Sequence, residues 1–150
     1  MGQSFEMRRL GGLIVSVALL PGCGVIGLGG NPYLLEGVPD GTLVYQGTLT
    51  TLNSAYPTTG VAQVYRGTSG DVIRLTGLSA PTSVGPLSII GNGQQSGITK
   101  TYTSTLRSAR GDQNYDTGLS TVIWSTVSIR NAASPSSQPY GTATLQAVLY

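Results

Sequence analysis

Three side chains in the second half of the sequence offer oxygen at alternate positions: Asp112, Asn114 and Asp116, followed by Thr117 and Gly118. A hard cation such as calcium is held by carboxylate, amide and carbonyl oxygens presented from a short loop that turns at a glycine. Here the glycine comes one place late for that pattern, and Ile123 stands where a bidentate glutamate would close the site. The competing reading is a loop whose Asp and Asn side chains satisfy turn backbone. Ser125 is a hydroxyl with no histidine anywhere in the sequence and no matched lysine beside it, so it lacks the base that activates a serine nucleophile. Tyr45, Tyr65, Tyr102 and Trp124 are the aromatic groups that could line a crevice for a carbohydrate or pigment, if strand register puts them on one face.

The residues that are missing narrow the chemistry further. There is no histidine, the single cysteine is Cys23, and the two methionines are Met1 and Met7. Zinc, copper and haem sites draw on these types, so the chain after Cys23 has no conventional transition-metal ligand set. A Ser-His-Asp or Cys-His hydrolase is excluded in its usual form. No catalytic residues are assigned and no cofactor is expected, with calcium at Asp112, Asn114 and Asp116, or copper on carboxylates and tyrosines, as the ions to test.

Cys23 belongs to a different kind of chemistry. Arg8 and Arg9 precede an apolar run over residues 10–20, which ends in Leu20-Pro21-Gly22-Cys23. A positive start, an apolar stretch and a small residue before the cut make a secretory signal. The run is about half of the roughly 20 residues a helix needs to cross a bilayer. Leu20-Pro21-Gly22-Cys23 resembles the lipobox of bacterial lipoproteins, which implies cleavage before Cys23 and acylation of its sulfur. Pro21 departs from the small residue usual there, and the alternative is an ordinary signal peptide containing a cysteine. Gly24 follows in place of an aspartate, which by the same resemblance favours an outer membrane or the cell surface. Either Met1 or Met7 can serve as the start. The Met1-Gly2 pair lacks the Ser or Thr that a myristoylation site wants, having Glu6 there.

These readings divide the chain into a signal peptide at 1–22, a lipidated tether at 23–41, and one β domain at 42–150. The tether is glycine-rich but also carries Val25, Ile26, Leu28, Tyr33, Leu34 and Leu35, which is apolar for a free linker. Only 9% of residues are charged, and Arg8, Arg9 and Glu6 leave with the signal, so the domain is near neutral. A neutral domain has no basic field for nucleic acid. With Cys23 acylated no disulfide can form, so burial and sheet hydrogen bonds alone must hold the fold.

From Thr42 onward the pattern is short strands separated by turns, with no helical period. Strands are expected at 42–50, 61–66, 72–78, 87–90, 98–106, 119–130 and 142–149. Gly67 to Asp71 is a hairpin connection, and Gly91-Asn92-Gly93 reads as a glycine-rich turn. About seven strands without crossover helices give an all-β fold, an antiparallel sandwich or barrel-like domain. Trp124 is expected to anchor its core, Tyr115 and Tyr140 to fill packing or corner roles, and Gly85-Pro86 to set a turn.

Six segments in order resemble the DM-thirteen domain family: Tyr56-Pro57-Thr58-Thr59-Gly60-Val61, Val72-Ile73-Arg74-Leu75, Gly85-Pro86-Leu87-Ser88-Ile89, Gly111-Asp112-Gln113-Asn114-Tyr115 after Leu106, Val122-Ile123-Trp124-Ser125, and Tyr140-Gly141-Thr142-Ala143-Thr144-Leu145. The resemblance covers residues 42–149 and implies a small β domain associated with electron transfer. In that family a cysteine commonly follows the tryptophan, whereas this chain has Ser125, which cannot cycle between thiolate and disulfide. The sequence therefore suggests a lipid-anchored binding or accessory subunit of a larger outer-membrane or surface-layer assembly, and not an enzyme. The alternative is a redox protein, in electron transfer or copper-dependent superoxide handling of the superoxide dismutase type.

Overall fold

The computed structural model describes residues 33–134 and 138–150; the signal, Cys23 and the tether up to residue 32 lie outside the described residues. The described chain is all-β, with strands β1 (Tyr33–Leu35), β2 (Thr42–Thr51), β3 (Thr59–Gly67), β4 (Gly70–Ser79), β5 (Leu87–Gln95), β6 (Ile98–Thr105), β7 (Arg110–Asp116), β8 (Ile123–Asn131), β9 (Gly141–Thr144) and β10 (Gln146–Ala147). Nine of them follow one another across a single open sheet in the order β1-β7-β4-β3-β2-β9-β8-β5-β6, and β10 adds to β2. All pairings are antiparallel except β1 with β7.

The sheet curls into a half-barrel over one core. Ile73 on β4 and Gly91 on β5 lie far apart in strand order, yet a Cβ built on Gly91 would sit 2.6 Å from the Ile73 Cδ1. Alternation decides which face the curl encloses: successive side chains of a strand point to opposite faces, and Leu87, Ile89, Gly91 and Gly93 of β5 are all buried. Val64, Ile73, Leu75, Ile89, Val127 and Ile129 are fully buried around Trp124, which is 1% exposed. A tryptophan buries about 150–250 Å², worth about 4–6 kcal/mol before entropic costs.

Several boundaries differ from the sequence reading, each for a physical reason. The turn expected at Gly91-Asn92-Gly93 is strand: β5 runs through it, and the chain reverses at Ser96-Gly97, both with positive φ (53° and 79°) as a two-residue hairpin requires. Gly91 is small because the Trp124 ring lies over it, with Cζ3 3.2 Å from where a Cβ would be. The strand expected at 119–130 begins at Ile123, and the last strand breaks at Leu145, whose N–H donates to the Ser125 carbonyl at 2.8 Å. Residues 33–35, assigned to the tether, are part of the sheet edge: Tyr33, Leu34 and Leu35 pair with Arg110, Gly111 and Asp112, and the Glu36 N–H beyond them donates to the Asp112 carbonyl at 3.0 Å.

Candidate functional site

The residues singled out for calcium are not in a loop. Asp112, Asn114 and Asp116 lie on β7, on the face opposite the buried Gly111, Gln113 and Tyr115. A strand spaces alternate side chains about 7 Å apart along a line, so the three do not wrap a common point. Among the described residues, no cluster of three or more His, Cys, Asp or Glu is placed to share an ion. Each instead serves its own neighbour. The Asp112 carboxylate accepts from the Gly77 N–H at 2.8 Å and the Thr76 hydroxyl at 3.0 Å, and faces the Arg74 guanidinium at 3.6 Å. The Gly77 N–H is the chief cause that lowers the Asp112 pKa. Asn114 donates to the Gly37 carbonyl at 2.8 Å, and Asp116 accepts the Gly118 N–H at 3.1 Å.

These contacts form a latch that binds the first described residues to the body. Arg74, 6% exposed, donates to the carbonyls of Glu36 at 2.9 Å and Gly37 at 2.8 Å. Both Glu36 carboxylate oxygens pair with Arg107, and one also accepts the Asn114 N–H at 2.8 Å. The hydrogen bond from Arg107, then that from Asn114, hold the Glu36 pKa at about 2 against the ordinary 4.5. The Arg107 guanidinium lies 4.9 Å from the centre of the Tyr115 ring, and its backbone N–H donates to the Tyr115 hydroxyl at 2.9 Å. Tyr115 in turn donates to Gln113, whose amide bonds Ser108, so a buried polar chain fixes residues 107–110. Burial raises the Tyr115 phenol above its usual pKa. Gly111 makes the latch sterically feasible: its φ is +102°, and a Cβ there would lie 1.9 Å from the Leu34 carbonyl oxygen.

A second node was not singled out from the sequence. Asp71, read as a turn residue, is fully buried; Arg66 donates to it through Nε at 2.9 Å and Nη2 at 3.0 Å. Trp124 Nε1–H adds a third bond at 2.9 Å and the Val122 N–H a fourth at 3.3 Å. Burial alone would push this carboxyl up, but the bond from Arg66, then that from Trp124, outweigh it and hold the pKa below the ordinary range. The available signal was charge complementarity: Arg66 and Asp71 stand directly opposite each other across the β3–β4 hairpin. An open depression of about 400 Å³ lies beside this node, lined by Asp40, Gly41, Thr42, Arg66, Gly67 and Thr68.

The other positions singled out in the sequence lie at turns, register shifts and strand contacts. Gly60 has φ +142° at a register shift in β3, and Gly85 has φ +84° before Pro86, whose carbonyl accepts the Ala132 N–H. Tyr140 stacks on Tyr56 with centroids 4.6 Å apart, and its hydroxyl accepts from Asn131 at 3.3 Å. Gly141 leaves room for the buried Thr58 side chain, 3.0 Å from a Cβ there. The exposed Ser125 hydroxyl donates to the Asn92 carbonyl at 3.1 Å. The four crevice aromatics do not converge: Tyr45 and Tyr102 pack against the core with Trp124, while Tyr65 pairs with Leu43 and Val72 on the outer face.

What the outer face does assemble is a field of hydroxyls. One row crosses five strands as Thr50, Thr142, Ser128, Ile90 and Thr103, each registered with the next, with Ser128 only 7% exposed and Ile90 the one member without a hydroxyl. A second runs Thr144, Thr126, Asn92 and Thr101. Ser128 and Thr142 hydroxyls bond at 3.0 Å, and Thr101 donates to Asn92 at 2.9 Å. Neither row carries a formal charge.

Compared with known protein families, curated proteins and solved structures, the chain finds no matching family model, no matching curated protein and no matching solved structure.

Proposed function

We propose that this chain is a binding or accessory subunit of the cell envelope: a β domain of DM-thirteen type, held to an outer membrane or cell surface through lipid on Cys23, that docks on a larger membrane or surface-layer protein. The observation that carries the reading is the uncharged hydroxyl field on the outer face. Hydroxyls and methyls on pleated strands exchange water for protein at little desolvation cost, whereas a charged face would pay several kcal/mol per unpaired ion. Five of the charged side chains support it as well, because Asp71, Arg66, Glu36, Arg107 and Arg74 are committed to joining strands.

The test is purification of the full chain from its membranes in mild detergent, with co-purifying proteins and bound metal quantified in one sample. A second protein at fixed ratio, lost when Thr126→Glu and Thr142→Glu are introduced on the face, is the expected result. Recovery with no second protein overturns the reading, and stoichiometric copper or iron puts the redox alternative in its place.

A further inference from the structure

Strand β6 is one rim of the open sheet, and among the described residues β5 is its only strand neighbour. Backbone groups of successive residues in a strand point to opposite sides. The Leu106 N–H donates to the Leu87 carbonyl of the β5 strand at 2.8 Å, so the even-numbered residues turn toward β5. Thr99, Thr101, Thr103 and Thr105 therefore aim their N–H and C=O groups outward at the rim, and their side chains are exposed. The β5–β6 register from Ser88↔Thr105 to Gln95↔Ile98 has no shift. The run has no proline and no bulge, and Lys100 is its only charge, so the usual devices that blunt a sheet edge are mostly missing.

We propose that β6 pairs antiparallel with β6 of a second copy of this chain, about a twofold axis at Tyr102. The threonine comb is self-complementary, as an isologous interface requires. Centring on Tyr102 sets Thr99 opposite Thr105 and Thr101 opposite Thr103, so all four outward residues are used, in about eight hydrogen bonds. Threonine against threonine is a favourable cross-strand pair. In this register Lys100 meets Ser104, not its own charge, and Ile98, 61% exposed, lies across from Leu106 of the second copy. Centring on Thr101 would leave Thr105 without a strand partner, and centring on Lys100 would oppose like charges. A foreign strand would gain nothing from this internal symmetry, which is why the second copy is the occupant the edge fits.

The test is sedimentation velocity of the full chain in density-matched mild detergent over a range of protein concentration. A dimer of the polypeptide is expected, and Thr103→Pro, which removes an outward N–H and leaves the β5 pairing intact, should weaken it by about tenfold or more with the far-UV spectrum unchanged. A second variant covers misfolding of the first. Tyr102→Cys faces itself in a non-hydrogen-bonded pair at about 4.5 Å between Cα atoms, within disulfide reach. Mild oxidation should link position 102 to position 102, read by peptide mapping, while Lys100→Cys stays unlinked to itself. A chain that is monomeric at every concentration, or a dimer that ignores Thr103→Pro and does not cross-link at 102, overturns the proposal. Because the readout is self-association, it stands or falls separately from any envelope partner.

Discussion

Trp124 Nε1–H donates to the Asp71 carboxylate at 2.9 Å, with both side chains almost wholly shielded from water. The tryptophan thus locks the β3–β4 hairpin to β8 as well as filling the core, because the same carboxylate holds Arg66. Asp71→Asn leaves Arg66 without its anion. Removing one member of a buried pair costs about 3–5 kcal/mol, and since the Arg66 side chain is 30% exposed, about 3 kcal/mol is expected in urea unfolding. Trp124→Phe keeps an aromatic core but loses the bond and opens a void, for about 2–3 kcal/mol.

Gly91 and Ile73 should behave as a coupled pair. Gly91→Ala drives its new methyl into the Ile73 Cδ1, 2.6 Å away, an overpacking of about 1–3 kcal/mol. Ile73→Val removes that atom at a cost of about 0.5–1.5 kcal/mol on its own. The double variant is expected to be more stable than the sum of the two losses, measured as a double-mutant cycle in denaturant. Strict additivity would mean that the two strands do not meet across the core.

Gly111→Ala tests whether β1 depends on close approach. The added Cβ cannot coexist with the Leu34 carbonyl at 1.9 Å, and φ +102° disfavours it independently. The expected outcome is release of residues 33–37 with the rest of the sheet intact. It would be seen as fast exchange of the Glu36 amide and new protease cutting in that segment, beside unchanged protection of β8.

Acid should weaken the protein in a defined window. Glu36 has a folded pKa of about 2, below its ordinary 4.5, and Asp71 and Asp112 are lowered as well. Depressed carboxylates contribute stability that is complete above their unfolded pKa and is lost as pH falls through the folded value. Stability is therefore expected to be level from neutral pH down to about 5, and to fall between about 4.5 and 2. Glu36→Gln should make that decline shallower, as measured by urea midpoints at each pH.

The strands that alternate apolar and polar residues were legible in the sequence, β2, β3 and β4 among them, because one buried face leaves a period of two. Strand β7 was not, since its inward positions are Gly111, Gln113 and Tyr115 and only one of these is a large hydrophobe. Its stability comes from partners distant in sequence. Strand β1 was hidden for a related reason: three residues carry no period, and the latch residues Arg74 and Arg107 lie on elements far along the chain. The role of Trp124 as an aromatic anchor could be read from its size. Its bond to Asp71 could not, because residues 53 positions apart in sequence meet only once the half-barrel closes.

The chain that precedes Tyr33 enters the body through β1, which lies parallel to β7 and is tied down at its far end by Glu36, Arg74 and Arg107. A pull on that incoming chain along the strand axis would load the β1–β7 bonds and the ion pair together, in shear, and would not peel them one by one. The latch is thereby a mechanical joint: tension from an anchorage would reach β7 and β4 before it reached the core around Trp124.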